Sequence, residues 1–163
     1  MFQLKPITKE SIPRALEKAE RYRLLNEPSE AESICEDILK VEPENQKALI
    51  TLVLALTDQF QSGAGILHAQ EVTQRIQGDY QKAYYSGIIC ERRGKALLDA
   101  GGPGSGYAAY DWLRDGMDWY EKAEKIRPAG NDDSILRWNT CARTIMQNRL
   151  EPRIEERTEL QLE

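Results

Sequence analysis

A glycine-rich stretch, DAGGPGSGY at residues 99–107, is the first place where this sequence could do chemistry. Glycine-rich loops that open a helix can hold a phosphate on their backbone N–H groups. A P-loop also needs a preceding strand and a Lys-Ser/Thr pair, whereas Gly106 is followed by Tyr107 and Ala108. Because KALLDA before the loop is typical of a helix end, we interpret the stretch as a helix stop and a turn. A nucleotide or anion site at Gly101–Gly106 is the third and weakest functional hypothesis.

Histidine and cysteine are too sparse in this sequence to assemble a metal centre or a nucleophilic site. His68 is the only histidine, which excludes a paired-histidine metal site and leaves one base for any catalytic dyad. The acidic pairs Asp132–Asp133 and Glu155–Glu156 are interpreted as helix caps and solvated charges. Three cysteines lie far apart and are predicted to be buried thiols: Cys35, Cys90 and Cys141. We therefore expect no enzymatic activity, no metal and no cofactor.

Composition and charge argue against two classes of partner. The chain has 163 residues, of which 40% are hydrophobic and 30% charged, and its net charge is −5. An acidic chain is poorly suited to nucleic acid, and the short basic cluster ERRGK at residues 91–95 is weak evidence alone. No apolar run reaches the roughly 18 residues of a membrane span, and MFQLKPITKE lacks the apolar centre of a secretion signal. We expect a cytoplasmic protein that binds neither nucleic acid nor membrane.

Helix signals recur along the chain, whereas the alternating patterns of strands are nearly absent. The first helix is predicted from about Ile12 to Leu25. Ser11 is its expected N-cap, and Pro13 lies in the first turn, where a missing N–H has no cost. The second helix starts near Pro28 and packs back on the first, since its apolar residues lie on one face. These residues are Ala31, Ile34, Cys35 and Ile38.

Four more helices and a closing helix are predicted after this first pair. KALITLVLALTDQF and ILHAQEVTQRI form the next pair, with QSGAG at residues 61–65 as an insertion in their turn. A longer pair covers about Asp79–Asp99 and Tyr107–Ile126, joined by the glycine-rich turn. Asp132 or Asp133 is the expected N-cap of the closing helix. The apolar stripe of that helix comprises Ile135, Trp138, Ala142 and Ile145.

Four positions in the second helix and its exit recur downstream at the same spacing. Steps of four, three and five residues separate both Ala31, Cys35, Ile38, Pro43 and Gly116, Tyr120, Ala123, Pro128. With Ala15, Ala19 and Tyr22 in its first helix, the first pair resembles a tetratricopeptide repeat. The chain is identified as a divergent, bacterial-type member of that family. It departs from the family pattern at Ala15, where tryptophan is frequent, and at Lys18, which is normally leucine.

The resemblance implies an all-α superhelix of about three helical hairpins and a closing helix. Its organisation would be a lead-in over residues 1–11, a repeat domain over residues 12–148 and a polar tail over residues 149–163. Within that domain the expected units are 12–45, 46–78, 79–130 and the closing helix 131–148.

The resemblance also implies that the first helix of each repeat lines a concave groove for another protein or peptide. The family's groove positions fall here on Leu16, Glu20, Arg23, Lys47, Ile50, Leu54, Thr57, Tyr84, Ile88, Glu91 and Arg92. The apolar members of this set either face the groove or are buried, because short arrays curl onto themselves. Family members that hold a C-terminal carboxylate have lysine and asparagine where this chain has Leu16 and Glu20. We therefore do not expect that ligand.

A non-catalytic adaptor or scaffold is the function that this resemblance implies. The alternative is a structural homo-oligomer, such as a homodimer, formed through the long third pair. Trp112 and Trp119 are seven residues apart and so share a helix face. They either pack in the core or form the oligomer surface.

Overall fold

The computed structural model describes residues 1–63 and 65–154. Within these ranges the chain forms seven α-helices, two short 3-10 helices and no strand, which confirms the predicted all-α class. The 3-10 helices are Lys9–Ser11 and Phe60–Ser62. The α-helices are α1 (Ile12–Leu24), α2 (Pro28–Val41), α3 (Gln46–Thr57), α4 (Ile66–Gln74), α5 (Asp79–Ala100), α6 (Ser105–Lys125) and α7 (Asp133–Gln147).

Each α-helix packs against the next one along the chain, and α1 contacts α3 as α3 contacts α5. Two apolar cores result. The larger core lies mainly among α1 to α4 and includes Ile89 and Ala96 of α5. The smaller core joins α5, α6 and α7 around Leu113 and Tyr120, and Cys141 is its buried residue from α7. Because α5 contributes to both cores, it is the helix that joins the two halves of the molecule.

At the starts of two helices, α1 and α7, the observed capping differs from the predicted capping. Ser11 does not cap α1 with its side chain, because it ends a 3-10 turn with helical backbone angles and its hydroxyl donates to the carbonyl of Thr8 at 2.7 Å. Neither Asp132 nor Asp133 caps α7 with its side chain. Instead, Oδ1 of Asn131 accepts a hydrogen bond from the backbone N–H of Asp133 at 3.0 Å. Ser11 and Asp132 therefore occupy the N-cap positions, but the prediction that their side chains cap the first turn was wrong.

A side-chain cap does start α3. The Asn45 side chain accepts a hydrogen bond from the backbone N–H of Ala48 at 2.9 Å and also donates to Glu42 at 2.9 Å. One free amide of the first turn is thereby satisfied next to the exit of α2. This cap sets the sharp return between α2 and α3.

Glycines allow α5 and α6 to approach each other closely. A Cβ added to Gly87 would lie 2.5 Å from Cε1 of Tyr120, and one added to Gly94 would lie 2.9 Å from Cγ of Leu113. On the facing helix, a Cβ on Gly116 would lie 3.3 Å from the carbonyl oxygen of Gly87. The long pair is therefore held by backbone-to-side-chain contact that larger residues would prevent.

The predicted insertion QSGAG and the predicted glycine-rich turn both connect helices, and QSGAG begins inside the 3-10 helix Phe60–Ser62. The glycine-rich stretch connects α5 to α6, and three of its glycines have left-handed or related positive φ angles, at Gly101, Gly102 and Gly104. Gly63 and Gly65 do the same before α4, while Ala64 between them lies outside the described residues. Most of the predicted tail, with Glu155–Glu156, also lies outside them. No helix in the described ranges is both long and apolar enough to cross a membrane.

Candidate functional site

A cavity of about 300 Å³ opens where the C-terminal end of α1, the end of α3 and the C-terminal half of α5 meet. This volume is at the lower end of the roughly 300–1,000 Å³ of ligand pockets, so the cavity suits one side chain of a larger ligand. Its lining is mostly polar. Among the residues that line it are Arg23, Thr57, Asp58, Arg92, Lys95 and Asp99.

Two arginines from different helices share one carboxylate at this cavity. Nε of Arg23 on α1 lies 2.7 Å from Oδ2 of Asp58, and Nη1 of Arg92 on α5 lies 2.7 Å from Oδ1. Asp58 follows the last residue of α3, where its N–H bonds the carbonyl of Leu54. The side chains of Arg23, Asp58 and Arg92 are 23%, 19% and 33% exposed, so solvent reaches the cluster. The carboxylate connects α1, α3 and α5 and holds both guanidinium groups in place.

A second charged cluster is centred on the residue before Arg92, and its carboxylate is buried while its two cations are partly exposed. Glu91 on α5 is 0% exposed and pairs with Nη2 of Arg137 on α7, while Nζ of Lys95 lies 3.8 Å from its Oε1. The thiol of Cys141 donates to the same Oε1 at 3.5 Å. Because two cations and a thiol surround it, this carboxylate keeps its charge compensated in the interior. Lys95 belongs to both clusters, since it also lines the cavity.

The residues predicted to line a groove fall into three groups in the structure. Glu20 and Lys47 are exposed, and those that are half-buried are Arg23, Ile50, Leu54, Tyr84 and Arg92. Leu16, Thr57, Ile88 and Glu91 are buried. For Ile88 the structure therefore selects the buried alternative, whereas Leu16, which is 9% exposed, lines a surface depression. Glu91 is not a groove residue either, because Arg137 of the closing helix draws its carboxylate inward.

The structure brings three of the predicted residues together at the cavity, namely Arg23, Thr57 and Arg92. Thr57 does so with a hydroxyl that is already used, because it donates to the Leu54 carbonyl at 2.8 Å. Leu16, Glu20 and Lys47 lie instead in a separate, larger depression of about 560 Å³ near the N-terminal ends of α1 and α3. The predicted set is thus divided between two ends of the α1–α3 surface.

Asp58 and Lys95 belong to the site but were missed. Asp58 directly follows the predicted position Thr57, and the helix-based register ended one residue too early. Lys95 is the last residue of the basic stretch ERRGK, which was noted but not connected with Arg23. A search for charged residues within one turn beyond each predicted position would have found both.

Aromatic side chains surround the second core. Tyr84 stacks on Tyr80 with ring centroids 5.9 Å apart, meets Tyr85 edge-on at 5.1 Å and is tilted against Tyr120 at 5.9 Å. Burial raises the pKa of Tyr84 to about 12 and raises the pKa of Tyr120 still further. These phenols therefore stay neutral and pack as apolar rings.

Trp112 and Trp119 on α6 are half-buried rather than fully inside the core. Nζ of Lys122 lies 4.3 Å from the centroid of the Trp119 ring. A cation over an indole face is favourable, and it leaves part of the ring in contact with solvent.

The thiols and the histidine are not arranged for nucleophilic chemistry. All three cysteines are free and buried, as predicted. Burial raises the pKa of the Cys35 and Cys90 thiols to about 12, and it raises the pKa of Cys141, where nearby Glu91 adds to the effect. Since the thiolate is the reactive form, these thiols are inert near neutral pH. His68 is exposed on α4, with Nδ1 4.0 Å from Glu71.

Acidic, cysteine and histidine side chains do not gather in threes as metal ligands anywhere in residues 1–63 and 65–154. The glycine-rich turn follows helix α5, so it lacks the preceding strand of a P-loop or dinucleotide site. The guanidinium of Arg153 lies 5.7 Å from the ring of Tyr107, beside this turn. A nucleotide or anion at this turn stays a prediction.

Comparison of the chain with protein-family models, curated proteins and solved structures gives no match. The resemblance to tetratricopeptide repeats therefore depends on the chain's own residues, chiefly the spacing shared by α2 and α6. The three repeated positions that precede each proline are all buried. They are Ala31, Cys35 and Ile38 in α2, and Gly116, Tyr120 and Ala123 in α6.

Proposed function

We propose that this chain is a non-catalytic adaptor or scaffold with tetratricopeptide-like helical hairpins. It binds a peptide segment of another protein on the surface made by α1, α3 and α5. A preformed helical surface loses little ordering entropy when a peptide docks on it, which favours this function for a short helical array.

The observation that carries the proposal is the cavity around Arg23, Asp58 and Arg92. Its walls come from three helices that are neighbours in space but distant in sequence. The half-buried apolar side chains of Ile50 and Leu54 lie on α3, the middle helix of this surface. A polar cavity beside apolar residues resembles the anatomy of peptide-binding surfaces, where an apolar centre is bordered by polar contacts.

Charge reversal tests the location of the peptide. A partner captured from the native host and identified by mass spectrometry is purified and titrated against Arg92→Glu, Glu20→Lys and the unmodified chain. We expect at least one reversal to weaken binding by about tenfold, since charged hydrogen bonds contribute roughly 1.5–3 kcal/mol. Arg21→Glu is the matched control, because Arg21 is an exposed residue of α1 outside the cavity. Unchanged affinity in both reversals would contradict the proposed surface.

A second candidate function is self-association through the long α5–α6 pair, and the partial exposure of Trp112 and Trp119 favours it. Indole rings are frequent hot spots of interfaces, so each tryptophan would contribute roughly 2 kcal/mol or more. Light scattering over a range of concentrations is the test. A dimer that Trp112→Ala or Trp119→Ala abolishes supports this function, and a monomer at all concentrations removes it.

A further inference from the structure

The two arginines at the cavity have hydrogen-bond donors left after their pairing with Asp58. A guanidinium carries five N–H donors. Arg23 uses Nε and Nη2 towards the carboxylate, and Arg92 uses Nη1. The remaining donors belong to side chains that are 23% and 33% exposed, so a ligand in the cavity can reach them.

Positive charge prevails at this cavity although the whole chain is acidic. Three basic side chains line it, Arg23, Arg92 and Lys95, against two acidic ones, Asp58 and Asp99. Both oxygens of Asp58 are already bonded to the arginines, whereas exposed Asp99 meets the amide of Gln61 at 3.4 Å. The net charge of the chain is −5, which makes this excess of basic groups a local feature.

We propose that the cavity binds an acidic side chain, a glutamate or aspartate carboxylate, of the partner peptide. This inference rests on the proposed function and names the chemistry of its ligand. Arg23 and Arg92 donate charged hydrogen bonds to the incoming carboxylate, and the ammonium of Lys95 adds a third positive charge. The carboxylate thus adds a negative charge to a cavity whose lining carries three basic and two acidic side chains.

Preorganisation favours this ligand over a neutral or basic one. Asp58 holds the two guanidinium groups before binding, so the ligand does not have to order two flexible side chains. A lysine in the cavity would meet three cations, and of the two lining carboxylates both oxygens of Asp58 already accept hydrogen bonds from the arginines, which leaves Asp99 at the exposed edge. Leu16 and Glu20 lie elsewhere on α1, outside this cavity, so they do not hinder the binding of a carboxylate here.

Three peptide libraries test the inference with the full chain. They share random apolar positions and differ only in carrying glutamate, glutamine or lysine at the fixed alternate positions. We expect the glutamate library to bind most tightly, and Arg92→Gln or Lys95→Gln to weaken that binding about tenfold. Arg21→Gln on the outside of α1 is the matched control and leaves the affinity unchanged.

Circular dichroism shows whether each variant is folded. If Arg92→Gln fails to fold, the unmodified chain decides the question through its salt dependence, because added salt screens an exposed charge pair. Affinity for the glutamate library that does not fall with salt overturns the inference. Equal or tighter binding of the glutamine or lysine library overturns it too but leaves the peptide-binding function in place. If no library binds, the inference and the proposed function both fail.

Discussion

The first helical pair, α1–α2, and the third, α5–α6, bury the same positions with different side chains. The helices of the first pair have 13 and 14 residues, and those of the third have 22 and 21. At matching positions the first pair buries Cys35 where the third buries Tyr120, and both side chains are 0% exposed. Ala19 precedes Cys35 by 16 residues and Gly87 precedes Tyr120 by 33, so the third pair has 17 extra residues between them.

The comparison shows that residue spacing determines which face is buried, whereas the facing helix determines how large the buried side chain can be. Ala19 and Cys35 are small residues of the same core, in which Leu16 of α1 and Ile38 of α2 are the larger buried side chains. Tyr120 fits because Gly87 has no Cβ at the point of contact. The third pair therefore buries a large ring, and the fit of that ring depends on Gly87.

The largest expected effect is a difference in lost stability between substitutions at the two matching positions, Tyr120 and Cys35. Tyr120→Ala removes a fully buried ring and leaves a cavity, which lowers the free energy of unfolding by about 3–5 kcal/mol. Cys35→Ala removes one buried sulfur and lowers it by about 1 kcal/mol. Urea denaturation followed by circular dichroism measures both.

A control for this prediction uses the glycine. Gly87→Ala alone should lower the free energy of unfolding by about 1–3 kcal/mol, because its Cβ meets the tyrosine ring. In a protein that already carries Tyr120→Leu, the same glycine substitution should lower it much less. Additive effects of Gly87→Ala and Tyr120→Leu would show that the glycine does not make room for the ring. Equal losses for Tyr120→Ala and Cys35→Ala would show that the two pairs are packed alike.

An effect of intermediate size is expected for substitutions in the two charged clusters, around Glu91 and around Asp58. Glu91→Gln removes the buried charge that compensates Arg137 and Lys95, and we expect a loss of about 2–3 kcal/mol. Asp58→Asn alters a cluster that solvent reaches, so the expected loss is about 1 kcal/mol. Thermal unfolding at low and high salt measures the difference. The loss from Asp58→Asn should shrink with salt, while that from Glu91→Gln should change little; the opposite order of the two losses would contradict the assignment.

The smallest expected effect concerns the starts of the helices. Asn45→Ala removes the side-chain cap of α3 and should lower stability by about 1 kcal/mol. Ser11→Ala should change stability by only a few tenths of a kcal/mol, since Ser11 caps no helix and its bond to Thr8 is exposed. Chemical denaturation of the two variants side by side is sufficient. A larger loss of stability for Ser11→Ala would indicate that Ser11 caps α1 as predicted.

Much of the fold could be predicted because the sequence signals of a helix lie within the helix and at its two ends. The expected long helices over 79–99 and 107–126 differ from the observed α5 and α6 by at most two residues at each end. The cavity could be predicted only in part. Arg23 and Arg92 lay on the predicted face, but their pairing with Asp58 joins residues 35 and 34 positions apart, and no local pattern contains that information.

By itself, the sequence determined that the described residues form helices and which stripe of α2 is buried, because apolar periodicity and turn residues act within a few residues of one another. The stripe predicted for α7 is only half-buried, and Ser134 and Cys141 are buried there instead. Only the tertiary structure decided that Glu91 points inward and that Arg23 and Arg92 meet at Asp58. Those outcomes depend on where α7 and α3 come to lie beside α5. The energy of a charge depends on its surroundings in space, and distant parts of the chain supply those surroundings.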